Sequence, residues 1–301
     1  MNDTILTIGT FDGVHQGHQK LLHKMFHTAK RENLTSVVIT YSDHPAHTFK
    51  RNPDHRVLTP LQCKLEMIKE MGIEHIELLD FTEDFAKTKA RVFLSEIIMK
   101  RFNPRIIVVG YDSHFGYQRE GTYAFLRKQR KKHGYETMYV SPTMQGTKPV
   151  SSTSIRNMLS VGDLDTANKL LNRPYRMFGK VVHGQAIGRE LGFPTANIEL
   201  CDAHQLIPRL GIYLSKVLIN NDSYFGLTNI GKGPTVRNDG KTIVETYVID
   251  LDQDLYGCDI SIDFLRRLRD EKLFGTKEEL IDAMRADLSL ARTIISNEIL
   301  Q

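Results

Sequence analysis

The segment Gly9-Thr10-Phe11-Asp12-Gly13-Val14-His15-Gln16-Gly17-His18 follows a short apolar run, Thr4 to Ile8, and leads into an amphipathic stretch from Gln19. Glycines let a backbone come close to a phosphate, and a helix N-terminus presents free N–H groups and the positive end of its dipole to an anion. His15 and His18, in HxGH spacing, can then donate to phosphate oxygens. In nucleotidyl transfer the attacking phosphate is already a nucleophile. The protein must mainly align it and spread the charge that develops on the α-phosphate and the leaving pyrophosphate. Two histidines at a helix end meet that need without a general base. Gly9, Phe11, Asp12, Gly13 and Gly17 are the candidate nucleotide-binding positions of the loop, and His15 and His18 the candidate catalytic ones. The competing reading is a capping turn with incidental histidines.

Three further constellations stand out. Ser151-Ser152-Thr153-Ser154-Ile155-Arg156 sets hydroxyls and a guanidinium at another helix start, either an ordinary N-cap or a second phosphate clamp. Gly184 to Asn197 has glycines for a loop, among them Gly188 beside Arg189, and then Gly192-Phe193-Pro194-Thr195-Ala196-Asn197. Residues i and i+2 of a strand share a face, so Thr195 and Asn197 offer a hydroxyl and an amide oxygen to one hard cation such as Mg2+. In Ile243-Val244-Glu245-Thr246-Tyr247-Val248-Ile249, Glu245 shares its face with apolar Ile243, Tyr247 and Ile249. A charge there is costly unless paired or used. Phosphoryl transfer to a hydroxyl needs such a carboxylate to orient the acceptor and take its proton. The alternative is a glutamate on the rim of a barrel strand.

These residues need elements to position them. In the first half, β-branched runs alternate with amphipathic stretches: Thr4 to Ile8 then Gln19 to Glu32, Ser36 to Thr40 then Leu61 to Met71, Ile76 to Leu79 then Ala90 to Phe102, and Ile106 to Val109 then Tyr123 to His133. Such alternation predicts βαβα units, a parallel sheet with helices on both faces. Two short helices follow on either side of Gly162-Asp163 and stop at Arg173-Pro174. Beyond Tyr175, short runs without intervening helices predict an antiparallel barrel or sandwich, closed by one amphipathic helix from about Lys277 to Asn297. The predicted division is residues 1–174 and 175–301, although one large α/β domain also fits 301 residues.

With 41% hydrophobic and 25% charged residues the chain has an ordinary globular composition. A net charge of +4, from 40 Lys and Arg against 36 Asp and Glu, suits small anionic substrates rather than nucleic acid, and no nucleic-acid partner is expected. The one strong basic run, Arg127 to Lys132, reads as a solvated helix face, with phosphate or nucleic-acid contact as the alternative. Cys63, Cys201 and Cys258 are scattered and odd in number, which predicts neither a disulfide framework nor a zinc site. With no secretory pattern and no long apolar stretch, a cytoplasmic protein without a membrane partner is expected, as a monomer or weak homo-oligomer.

The first half, with its HxGH loop, Gly110-Tyr111-Asp112-Ser113-His114-Phe115-Gly116 and Asn172-Arg173-Pro174-Tyr175, resembles the Rossmann-like nucleotidyltransferases. More narrowly it resembles the FMN adenylyltransferase module of prokaryotic bifunctional riboflavin kinase/FAD synthetases. The second half resembles the riboflavin kinase domain, a small β-barrel, through GRELGFPTAN, Thr228-Asn229-Ile230-Gly231 with Pro234-Thr235, Glu245, Leu255-Tyr256-Gly257 and Arg269-Asp270-Glu271-Lys272-Leu273-Phe274. The resemblance implies ATP as co-substrate, riboflavin, FMN and FAD as substrates and products, and Mg2+. It implies His15, His18, Ser152 and Arg156 on the ATP phosphates, Asp112 by the flavin, Thr195 and Asn197 on Mg2+, and Glu245 as base. It further implies Gly188 and Arg189 in the nucleotide loop, and Arg269 with Phe274 near riboflavin. Two positions depart from the family pattern on the flavin side of the first half: Ser113 where Phe is usual, and Asp43 of Tyr41-Ser42-Asp43-His44-Pro45 where Pro is usual. They leave open a kinase with a weakened or repurposed transferase half, beside a non-catalytic flavin- or nucleotide-binding regulator.

Overall fold

A computed structural model describes residues 3–48, 55–184, 188, 191–220, 222–232 and 242–299. It divides into two compact units, Met1–Ser154 and Ile155–Gln301.

The first unit is built on strands β1 (Thr4–Ile8), β2 (Thr35–Tyr41), β3 (His75–Leu79), β4 (Pro104–Gly110) and β5 (Glu136–Val140), in the spatial order β3-β2-β1-β4-β5. All four pairings are parallel. Parallel sheets are covered on both faces, so the central strand β1 is buried at every position. One face packs on α1 (Gln16–Glu32) and α2 (Leu61–Glu70) through Leu21, Leu22, Met25, Ala29 and Ile68. The other packs on α3 (Phe93–Phe102), a π-helical segment, and α4 (Tyr123–His133) through Phe93, Leu94, Ile98, Phe102 and Leu126. Arg130, Lys131 and Lys132 of the basic run lie in the last turn of α4, where cations complement the helix dipole, and Gly134 caps it in the left-handed conformation at φ 75°. Arg127, Lys128, Arg130, Lys131 and Lys132 are all exposed, as a solvated face requires.

The sequence predicts a loop through Gly146, and the structure has a small hairpin there, Met144–Gln145 paired with Lys148–Pro149. It predicts a domain break at Pro174, whereas compactness divides the chain twenty residues earlier. Helices α5 (Ser152–Val161) and α6 (Leu164–Leu171) account for the difference. Asn168 of α6 donates to the carbonyl of Phe264 at 2.9 Å and accepts from the amide of Tyr175 at 2.8 Å, which stitches α6 to two barrel strands.

The second unit is a closed six-stranded barrel of β6 (Tyr175–Val182), β7 (Thr195–Leu200), β8 (Gly211–Ile219), β9 (Asp222–Lys232), β10 (Thr242–Val248) and β11 (Asp259–Arg269), in the order β8-β9-β10-β7-β6-β11. Every pairing is antiparallel. Closure removes exposed strand edges and settles barrel over sandwich. Tyr213, Val217, Ile230, Val244, Ile262 and Phe264 fill the interior with a row of hydroxyls: Ser215 to Thr228 at 2.7 Å and Thr228 to Thr246 at 3.0 Å. The opposite faces of β8 and β9 carry Leu214 and Leu227, which with Ile249 just after β10 pack on Ala291 and Leu288 of α7 (Lys277–Ile299). No helix among the described residues is long and apolar enough to cross a membrane.

Candidate active sites

In the first unit the loop after β1 forms one wall of a cavity of about 560 Å³, lined there by Gly9, Phe11, His15, Gly17 and His18. His15 is the N-cap of α1, its Nδ1 accepting from the amide of His18 at 3.4 Å. The two imidazoles stack at 3.7 Å between centroids and 16° between planes, and the edge of Phe11 meets His18 at 5.2 Å. Burial, with the charge interactions of His15 and Lys64 added, holds His18 well below the ordinary imidazole range, so it is neutral at physiological pH. Its Nδ1 is buried with no hydrogen-bond partner among the described residues. The loop is strained as active-site turns often are: Phe11, Gly13 and Val14 have φ of 50°, 81° and 40°, and a left-handed conformation is costly for β-branched Val14.

What holds this strained loop lies beneath it. The Asp12 carboxylate is buried and accepts from the amides of Leu58 at 2.8 Å and Thr59 at 3.2 Å, while the Asp12 carbonyl accepts from Ser152 Oγ at 2.9 Å. Asp12 and Ser152, expected at the nucleotide, thus hold the loop, Asp12 from the side of Leu58 and Thr59 and Ser152 on the Asp12 carbonyl. Lys64, which the sequence reading did not single out, donates to the Thr10 carbonyl at 3.2 Å and to Thr40 Oγ1 at 3.3 Å. Burial lowers its ammonium to about 8. A signal for it existed: Lys64 sits four residues before buried Ile68, on the stripe of α2 that faces the core. Ligand atoms of Asp12, His44 and His55 lie within 4.8 Å of one another, a donor set able to hold a divalent ion. Ser151 and Ser154 cap α5 reciprocally, Ser151 Oγ accepting from the Ser154 amide at 3.2 Å. Arg156 lies a turn further on, half-buried in the second unit.

The far wall of the cavity is the segment after β4, from Gly110 through Tyr111, Asp112 and Phe115 to Arg119. Asp112 is exposed at this wall, where its flavin role was expected. Ser113 also lines it, but its hydroxyl accepts from the Gly110 amide at 3.0 Å, closing the turn after the strand. Asp43 is absorbed locally: it accepts from the His44 amide at 2.7 Å and pairs with His47 Nδ1 at 2.8 Å.

In the second unit the register sets Thr195 opposite Tyr247 and Asn197 opposite Glu245. Paired residues share a face, so Thr195, Asn197 and Glu245 stand together on the outer face, away from Thr228 and Thr246. Burial raises the Glu245 carboxyl above the ordinary glutamate range. Phe193 packs edge-on against Tyr247 at 5.4 Å between centroids. The glycine loop presses on the same residues: a Cβ on Gly188 would meet the Phe193 carbonyl at 2.3 Å and Thr195 Oγ1 at 3.1 Å. Arg189, Pro234 and Thr235 lie outside the described residues. Arg269 is clamped by Asp287 of α7, Nε to Oδ1 at 2.9 Å and Nη2 to Oδ2 at 2.7 Å, with its guanidinium 6.0 Å from the Phe274 ring centre. The expected flavin pair is therefore adjacent, and Asp287 is a partner that sequence reasoning missed.

Gly184 gives a test of the cation pair. A Cβ there would come 2.0 Å from Asn197 Nδ2, so Gly184→Ala is expected to displace the Asn197 carboxamide. The concentration of Mg2+ giving half-maximal phosphorylation should rise about 10- to 100-fold, the usual cost of disturbing the setting of a metal ligand. A titration of product formation against Mg2+ measures it, and an unshifted midpoint would show that Asn197 does not touch the ion.

Family profiles match the two halves separately, FAD synthetase over residues 1–154 and riboflavin kinase over residues 171–295. The bifunctional riboflavin kinase/FMN adenylyltransferase of Pseudomonas fluorescens is 34% identical over 290 residues, 96% of this chain and 92% of that one. The chain belongs to the bifunctional riboflavin kinase/FMN adenylyltransferase family. Its relatives of the same name in Escherichia coli K12 and Bacillus subtilis are each 33% identical, covering 96% and 98% of this chain and 91% and 93% of theirs. A crystal structure from Streptococcus pneumoniae described as a macrolide-efflux protein superposes with a TM-score of 0.88 at 33% identity, over 96% of this chain and 94% of that one. Within the family assignment, the HxGH loop and Asp112 fall in the FAD synthetase span, and Thr195, Asn197, Glu245, Arg269 and Phe274 in the riboflavin kinase span. Arg156 falls between the two.

Proposed function

We propose that this chain makes flavin cofactors in two ATP-dependent steps, riboflavin to FMN in the second unit and FMN to FAD in the first. The observation that carries the reading is the row Thr195, Asn197 and Glu245 on one barrel face, a hydroxyl and an amide beside a carboxylate whose charge is costly where it stands. Thr195 and Asn197 would hold Mg2+, which would supply positive charge to offset that of the phosphates. Glu245 takes the proton of the primary hydroxyl at the end of the ribityl chain as that oxygen attacks the γ-phosphorus and ADP leaves. Gly188 and Arg189 would contact the nucleotide, and Arg269 and Phe274 the flavin. In the first unit the FMN phosphate attacks the α-phosphorus of ATP and pyrophosphate leaves, with His15 and His18 donating to the oxygens that gain charge. Gly9, Phe11, Gly13 and Gly17 would line the triphosphate, Asp12 and Ser152 would hold the loop for it, Arg156 would complete the clamp, and Asp112 would stand by the flavin.

The reading includes ATP, riboflavin and FMN as the partners, with no nucleic acid, in a cytoplasmic monomer or weak homo-oligomer. Position-labelled ATP tests the chemistry. Label on the γ-phosphate should appear in FMN and label on the α-phosphate in FAD alone; α-label in FMN would contradict it. One observation favours a second reading, a kinase with a weakened transferase half: Ser113, in place of the usual Phe, lines the cavity with its hydroxyl held on Gly110. FMN accumulating without FAD is its signature.

A further inference from the structure

The row on the barrel face has a fourth member. The register of β9 with β10 sets Asn229 directly opposite Glu245, whose other neighbour is Asn197, so Glu245 stands between two carboxamides on three adjacent strands. The flanking pair Thr228 and Thr246 is bonded within the barrel, which fixes Asn229 on the outer face with the carboxylate. Its Oδ1 is buried with no hydrogen-bond partner among the described residues. The floor beside it is a close fit: at Gly231, a Cβ would lie 2.3 Å from Glu271 Oε1 and 3.3 Å from Asn229 Nδ2. A buried acceptor without a donor is destabilising, and a protein that keeps one beside its reactive carboxylate has a use for it.

Resting on the kinase reading above, we propose that Asn229 is a specificity residue of the phosphoryl acceptor, its Oδ1 accepting a hydrogen bond from the secondary hydroxyl next to the primary hydroxyl that Glu245 deprotonates. Side chains opposite each other on paired strands are about 5 Å apart at Cβ, a spacing from which a carboxylate and an amide oxygen reach two hydroxyls on neighbouring carbons. The pair thereby reads a vicinal diol at the end of a polyol chain, and an acceptor lacking the second hydroxyl would leave Oδ1 buried and unpaired.

The test compares riboflavin with its 4′-deoxy analogue on the full chain and on Asn229→Ala. With wild type, removing the hydroxyl should lower kcat/KM about 10- to 100-fold, the effect of one unmet buried polar group. Asn229→Ala should lower kcat/KM for riboflavin by a similar factor and phosphorylate the two substrates almost equally. FAD formation from added FMN, carried by the other unit, should not change and serves as the control for folding. Asn229→Leu should melt no lower than wild type, because it removes an unsatisfied oxygen, whereas a purely structural asparagine would be missed. Discrimination by Asn229→Ala as strong as that of wild type would overturn the proposal. Failure of wild type to phosphorylate riboflavin at all would instead overturn the kinase reading.

Discussion

Replacing Glu245 by Gln is expected to reduce FMN formation about 10²- to 10⁴-fold, the usual contribution of a positioned general base. Gln keeps the size and the hydrogen-bonding reach of the side chain but cannot take a proton. Affinity for riboflavin and ATP should therefore change little, and conversion of added FMN to FAD not at all. The pH profile carries a second signature. Burial raises the Glu245 carboxyl, so wild-type phosphorylation should climb as pH rises through a value above the ordinary glutamate range. Stability has the opposite sign. Between the ordinary and the raised value the folded protein binds more protons at this site than the unfolded chain, so the Glu245 contribution to stability falls as pH rises through that window. The Gln variant should then melt as high as wild type or higher at neutral pH, and lose that advantage in acid below the ordinary glutamate range. Unchanged FMN formation would reject Glu245 as the base.

His18→Ala should lower FAD formation from FMN about 10²- to 10³-fold, the loss typical of one donor to a developing charge, and leave riboflavin phosphorylation intact. The argument rests on the stacked pair. His18 is neutral because burial, His15 and Lys64 all disfavour its cation. A triphosphate beside it supplies the missing counter-charge and should raise its pKa, so ATP binding to the first unit takes up a proton. Imidazole resonances followed by NMR with and without ATP would register the shift. A His18 titration that ATP does not move, together with full FAD formation by the Ala variant, would remove it from the phosphate site.

Most of the fold could be read from periodicity, because each strand and helix obeys its own alternation. Gly211–Ile219 and Tyr123–His133 match their predicted limits, and the parallel sheet follows from strands separated by helices. The compactness limit after Ser154 could not be read that way. The break in pattern at Pro174 is real, but it marks where helices give way to strands, and the tie from Asn168 to Phe264 depends on a residue 96 positions away. The sites divide along the same line. The shared face of Thr195 and Asn197 was legible because strand geometry sets i and i+2 together, and the place of His15 and His18 at a helix start because their HxGH spacing follows a strand. Asn229 was not, since its meaning comes from a neighbour across the sheet, and Lys64 showed only its place on the core-facing stripe of α2, not what it reaches. The partner of Asn229 is fixed by the β9–β10 register, and Lys64 matters because the Thr10 carbonyl lies above it. Asp12 marks the limit of motif reading. In the loop it looks like a nucleotide ligand, yet its carboxylate turns inward to the amides of Leu58 and Thr59.

The most direct test of the two-step account is a time course of the purified chain with riboflavin, ATP and Mg2+, its flavins separated by chromatography. FMN should appear first and then give way to FAD, and Glu245→Gln should slow both products from riboflavin by the factor given above while still making FAD from FMN. Riboflavin remaining unconverted, or FMN accumulating to completion with no FAD, would contradict it.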